Sequence, residues 1–281
     1  MFRINNIVKT TTKRKIHFIT YGDEKYSISK KHLIGLARHS NFFDSTKAFG
    51  PKDIDTDFKK KYGEILSTKR GGGYWLWKYY FINKLINQTN ENDLIVYCDA
   101  GASLNFYAKK RFQDYVDIIS DSKYGNFRIE CEPKFLEYEW TTSEIFSYFN
   151  VDPYSKIGKS VQLEGGHMIF KNVEHTKNYL NEFSKLMEFD KDLITDKYNK
   201  KNQIHNFKEN RHDQSIFSLL SKVHGCEFVE NETEFKERPE LQYEYPFLSV
   251  RKGGHGYKDR LKFYLFYYKK IKTPVYFELL D

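Results

Sequence analysis

Leu94-Ile95-Val96-Tyr97-Cys98 is an unbroken apolar run set between Asp93 and Asp99. A strand with one wet face alternates polar and apolar residues, whereas a run apolar at every position is buried on both faces. That is the pattern of a central strand in an α/β sheet. At its C-terminal end stands Asp99, followed by the small residues Ala100 and Gly101. In open α/β sheets the connecting loops diverge at this edge and leave a crevice for ligands, so the position of Asp99 says more than its residue type. The small neighbours let a bulky group approach the backbone. Spacing alone is served equally by a turn aspartate that caps the next helix.

The rest of the chain supplies the partners such a strand needs. Ile16-His17-Phe18-Ile19-Thr20 is a strand stopped by Gly22-Asp23, and a helix follows with Ser29 as N-cap, Leu33, Leu36 and Ala37 on one face, and an end at Ser40-Asn41. Residues 44–73 are polar, closed by Gly71-Gly72-Gly73, and are expected to be loop and short helix around the mouth of a site. Tyr74 to Asn87 is apolar on nearly every side, as in a helix packed between a sheet and a further layer. Val161 to Lys171 is a strand interrupted at Gly165-Gly166, and Tyr179, Leu180, Phe183, Leu186 and Met187 mark an amphipathic helix. A last helix runs from Asp213 to His224 and stops at Gly225. Strand and helix alternate without repeat or low-complexity linker. The expectation is one α/β domain over residues 1–281, with a central mostly parallel sheet flanked by helices, a flexible lead over 1–14 and a tail over 261–281.

Bulk properties exclude more than they identify. With 40% hydrophobic and 30% charged residues the chain is globular rather than disordered. A net charge of +8 favours anionic partners, namely nucleic acid, acidic membranes or phosphorylated small molecules. The lysine clusters at 13–15, 59–61 and 269–272 read as solvated surface, and no nucleic-acid motif accompanies them. Cys98, Cys131 and Cys226 form no metal-like spacing and suit a reducing compartment. The N-terminus has no apolar signal core, and Tyr74 to Ile82 is broken by Lys78 and shorter than the ~18 residues a membrane span needs. A cytoplasmic protein is expected, in the host cytoplasm for a viral chain, with peripheral membrane contact left open.

Gly72-Gly73-Tyr74-Trp75-Leu76-Trp77-Lys78 and Tyr97-Cys98-Asp99-Ala100-Gly101 together resemble segments of the small GT-A-type glycosyltransferases of bacterial and large-virus polysaccharide loci, over about Ile16 to Arg260. The resemblance implies a Rossmann-like GT-A domain. It also implies that Asp99 holds Mn²⁺ or Mg²⁺ against the diphosphate of a nucleoside diphosphate sugar, beside Ala100 and Gly101. Gly101 stands where the commoner Asp-x-Asp motif has its second acid. Arg211-His212-Asp213-Gln214-Ser215 resembles the acidic element before the last core helix of these enzymes. There Asp213 would orient the sugar or acceptor hydroxyl, or act as base in an inverting reaction, and Gln214 would offer an amide to the substrate. Asp213 is equally suited to capping that helix.

A weaker likeness joins Gly253-Gly254-His255-Gly256-Tyr257-Lys258 to glycogenin-like (family 8) enzymes, which implies His255 on the metal and Lys258 on the departing diphosphate. Gly165 and Gly166 would bring backbone close to the sugar, with a bulge as the plainer reading. Arg70 and Lys78 are candidate phosphate contacts, and Trp75 and Trp77 are read as core. The expected reaction is metal-assisted glycosyl transfer to a glycan or other hydroxyl acceptor, with no nucleic-acid partner. The competing readings are a basic nucleic-acid-binding or nuclease-like protein, which salt-sensitive oligonucleotide binding would reveal, and an inactive relative that binds a sugar nucleotide without turning it over.

Overall fold

The computed structural model describes residues 14–235 and 239–250. The first strand, β1 (Ile16–Tyr21), leads through a tight turn capped by the Asp23 side chain into helix α1 (Ser27–Ser40). Because that turn runs directly into the helix, α1 starts at Ser27, and Ser29 lies inside the first turn rather than at the N-cap. Asn41 closes α1 in the left-handed conformation, φ 55°. Residues 44–73, expected as loop and short helix, contain helix α2 (Thr56–Leu66) and also a further strand, β2 (Ser45–Phe49). β2 is polar because it is the edge of the sheet, so its side chains are largely wet and carry no apolar signature.

Gly71–Tyr74 forms a single turn, α3, of left-handed sense: φ is +59°, +57° and +101° at its three glycines and +51° at Tyr74. Helix α4 (Trp77–Ile86), strand β3 (Leu94–Cys98), strand β4 (Ser103–Leu104), helix α5 (Lys109–Asp121) and strand β5 (Asn126–Ile129) follow. Two short helices, α6 (Glu137–Trp140) and α7 (Ser143–Tyr148), precede strand β6 (His167–Lys171) and helix α8 (Glu174–Phe189). Helix α9 (Asp213–His224), strand β7 (Glu227–Val229) and strand β8 (Phe247–Leu248) complete the described chain.

The main sheet has the order β2-β1-β3-β6-β5-β7, and β4 pairs with β8 apart from it. All the main-sheet pairings are parallel except those of β6, which runs antiparallel to both neighbours. Alternation along β3 divides the core into two layers. Leu94, Val96 and Cys98 pack with residues of α1 and α5, while Ile95 and Tyr97 pack with α4, α8 and α9. Helix α4 is therefore covered almost all round, including Lys78 at 3% exposure.

The reversed strand decides where the site forms. Cys98 pairs with His167, and the ladder continues one step as the Asp99 N–H donates to the Gly166 carbonyl at 2.8 Å. An antiparallel neighbour enters the sheet at the edge where its partner leaves. The glycines before β6 are thereby laid against the carboxylate that ends β3.

Candidate active site

A crevice of about 690 Å³ opens at this edge, lined by the Tyr21–Tyr26 connection after β1 and by residues around α6 and the start of α9. Its floor is organised by Lys78. The ammonium lies 3.2 Å from Asp99 Oδ1, 2.9 Å from Asp213 Oδ2 and 2.9 Å from the Gly165 carbonyl. The ammonium donates a hydrogen bond to the Gly165 carbonyl and forms ion pairs with the two carboxylates, an internal clamp that joins α4, the end of β3 and the start of α9.

Charge follows from this packing. Burial alone would push Lys78 down, but Asp213 and Asp99 outweigh it and hold the ammonium above its ordinary value. Burial raises the Asp213 carboxyl to about 6, with Lys78 pulling it down and Asp99 adding repulsion. Asp213 does not serve as N-cap: His212 holds that position, and Asp213 is the first helical residue with its carboxylate turned to Lys78. His212 has φ 58° and ψ −120°, rare for a residue with a side chain. Its ring donates or accepts at 3.0 Å with Asp196 and stacks on Tyr74, which fixes the bend that brings Asp213 inward.

Asp99 is the more open carboxylate, its side chain 38% exposed. The Tyr97 hydroxyl donates to Oδ1 at 2.5 Å, while Oδ2 would lie 3.5 Å from a Cβ on Gly166, so the missing side chain leaves that oxygen uncovered. Among the described residues no group of three or more His, Cys, Asp or Glu converges on one point. Among the described residues the carboxylate that opens to the crevice beside Gly166 is that of Asp99. It fits a hard cation of the Mg²⁺ or Mn²⁺ kind that draws its remaining ligands from phosphates and water.

Gly165 is closely packed, and a side chain there would oblige its neighbours to give by a few tenths of an ångström. A Cβ there would stand 3.2 Å from Asp213 Oδ2 and 3.3 Å from Gln214 Cβ. The Gly165 N–H donates to Gln214 Oε1 at 3.2 Å, and Gln214 Nε2 donates to Gln162 at 2.8 Å, so Gln214 braces the glycine pair from beneath. Ala100 and Gly101 line the crevice. Arg70 lies at its rim, tied to Glu209 at 3.1 Å and Asp196 at 3.5 Å. Trp77 is core, stacked on Tyr21 at 3.9 Å, and Trp75 is only partly buried; both line the crevice. The Gly253–Lys258 segment, with His255 and Lys258, lies outside the described residues.

Sequence reading passed over Tyr97 and Glu164. Tyr97 is two residues before Asp99 on a strand and so shares its face, a signal that was present. Glu164 accepts from Thr233 at 3.1 Å and pairs with His167 Nδ1 at 2.8 Å, contacts that no local pattern announces.

No protein-family model matches the sequence, and no curated protein matches it. Among solved structures, the chain is similar to the WbbM bifunctional glycosyltransferase in its apo form, with a TM-score of 0.51 and 12% identity over 96% of this chain. It covers 52% of that protein, about half its length. It is also similar to a glycosyltransferase involved in the glycosylation of the major capsid of PBCV-1, with a TM-score of 0.48, 9% identity, and 90% of this chain and 99% of that one covered. A third similar structure is 4-diphosphocytidyl-2C-methyl-D-erythritol synthase, with a TM-score of 0.44, 13% identity, and coverage of 91% and 99%. The fold is of the GT-A type, an α/β sheet flanked by helices, as the sequence led us to expect. Among the described residues no helix is long and apolar enough to cross a membrane.

Proposed function

We propose that the chain is a glycosyltransferase that moves a sugar from a nucleoside diphosphate sugar to a hydroxyl of a glycan or other acceptor. The observation that carries this reading is the Lys78 clamp, which sets two carboxylates of unlike exposure side by side at the ligand edge of a GT-A sheet. In the transfer, the bond between the anomeric carbon and the diphosphate oxygen breaks. A bond to the acceptor oxygen forms, and the acceptor hydroxyl loses its proton.

Each group has a part in that sequence. Asp99 would hold Mn²⁺ or Mg²⁺ through Oδ2, and the cation would neutralise charge on the departing diphosphate. The uncovered backbone at Gly166 and Ala100-Gly101 gives the sugar and diphosphate room beside it. Arg70 at the rim adds positive charge for the phosphates. Asp213, with a carboxyl raised to about 6, is half ionised at about pH 6 and mostly ionised at neutrality, and is suited to steady positive charge at the anomeric carbon or to take the acceptor proton. The cysteines are free, and we place the reaction in the cytoplasm, the host's for a viral chain.

The test is a thermal-shift and titration series with nucleoside diphosphates and sugar nucleotides, with and without Mn²⁺, on wild type and Asp99→Asn. Wild type should be stabilised by at least one diphosphate in a metal-dependent way. Asp99→Asn should bind it roughly 10- to 100-fold more weakly, since the charged acceptor is gone. Salt-sensitive binding of an oligonucleotide, with no response to any nucleotide sugar, would overturn the reading in favour of a nucleic-acid protein.

A further inference from the structure

We propose that Phe135, Trp140 and Arg211 form the acceptor subsite, and that this wall takes the face of a pyranose ring at the end of a glycan. The proposal rests on the glycosyltransferase reading and adds where the acceptor sits. All three residues line the crevice and are partly exposed. The Phe135 and Trp140 rings meet edge to face with centroids 5.2 Å apart. The Arg211 guanidinium lies 4.5 Å from the centroid of the first and 5.3 Å from that of the second.

The Arg211 side chain is unusual in what it leaves unused. Among the described residues it makes no ion pair and no hydrogen bond, and only its contact with the two rings holds it. A guanidinium stacked on aromatic faces keeps its N–H donors directed outward in its own plane. Such a surface offers both halves of a sugar's chemistry: apolar ring edges for its C–H face, and a fixed fork of donors for its hydroxyls.

The wall is also rigidly indexed to the reacting groups. The Arg211 N–H donates to the Trp140 carbonyl at 3.2 Å, and Ser215 Oγ donates to the same carbonyl at 2.6 Å. Arg211 is two residues before Asp213, so a ring seated on the wall lies beside the carboxylate on the Lys78 clamp. The crevice is lined also by the Tyr21–Tyr26 connection after β1, to which we assign the nucleotide. A ligand on the wall and one at that connection would meet over Asp99 and Asp213.

Saturation-transfer NMR with the methyl α- and β-pyranosides of glucose, galactose and mannose tests this, alongside calorimetry with the common nucleoside diphosphates and Mn²⁺. Wild type should show transfer to at least one pyranoside. Arg211→Ala and Phe135→Leu should reduce that binding by roughly tenfold while nucleoside diphosphate affinity is unchanged. Arg211→Ala removes no buried contact between the rings, so it separates recognition from folding. If no pyranoside binds wild type while a diphosphate does, or if Arg211→Ala binds pyranosides like wild type, the subsite is wrong and the glycosyltransferase reading stands. Weaker diphosphate binding in Arg211→Ala assigns the wall to the donor and overturns the proposal. Wild type that binds neither ligand overturns both.

Discussion

Lys78 Nζ lies 2.9 Å from Asp213 Oδ2, and the two side chains are each only 4% exposed. A buried pair of this kind is held together by what its rupture would leave behind, an uncompensated charge in the core. Lys78→Met should therefore cost about 3–5 kcal/mol of unfolding free energy. The double variant Lys78→Met/Asp213→Asn should recover part of it, because the only carboxylate left without the ammonium is Asp99, whose side chain is 38% exposed. Urea denaturation checks both, and a loss under about 1 kcal/mol in the single variant would show that water or rearrangement solvates Asp213.

The raised Asp213 carboxyl gives opposite pH trends to stability and turnover. Its folded value of about 6 exceeds the ordinary 3.8, so between them the folded chain binds more proton than the unfolded one. The stability this contributes is present below 3.8 and is lost as pH rises through about 6. Turnover that needs the ionised carboxylate should rise over the same interval. Asp213→Asn should remove that component of the stability slope, measured as denaturation midpoints across the interval. A slope unchanged in the variant would assign the titration to another group.

Tyr97 positions Asp99 through a 2.5 Å hydrogen bond to the oxygen that also meets Lys78. Burial and then the neighbouring Asp99 charge hold the phenol well above its ordinary range, so it stays a donor. Tyr97→Phe keeps the buried ring and should leave the fold intact. Donor binding in Mn²⁺ should fall by about tenfold, as when a partner that orients a metal ligand is removed. Equal affinities by calorimetry would show that Lys78 orients Asp99 without help.

Gly71 cannot carry a side chain at its position. Its φ is +59°, and a Cβ would stand 2.3 Å from Trp75 Cε3. Gly71→Ala should lose at least about 1–2 kcal/mol from the backbone alone, with the ring clash added. For a chain of this size that lowers the melting temperature by roughly 2–4 °C, and by more with the clash. Trp77 Nε1 also donates to the Gly71 carbonyl at 3.0 Å, so nucleotide binding should weaken with the turn. A melting temperature equal to wild type would mean that the turn tolerates repacking.

What the sequence by itself determined was set by local periodicity and by strand burial. The apolar run at 94–98, the all-round apolar helix carrying Lys78 and the helix from Asp213 to His224 are each legible because burial on a given face imposes a spacing on the chain. Asp99 at the end of the central strand follows from the same logic, and a crevice opens at that edge of the sheet. The tertiary structure alone decided what those residues do to one another. β2 was invisible because an edge strand needs no apolar face. The role of Lys78 depends on three acceptors contributed from positions 99, 165 and 213, and no spacing rule links residues so far apart. The reversal of β6, a matter of strand order, brought Gly166 against Asp99. The strained backbone at His212, stable only where Asp196 and Tyr74 surround it, turned Asp213 from a helix cap into part of the site floor. Local sequence encodes which residues are buried; the identity of a buried charge's partner is settled only when distant segments close over it.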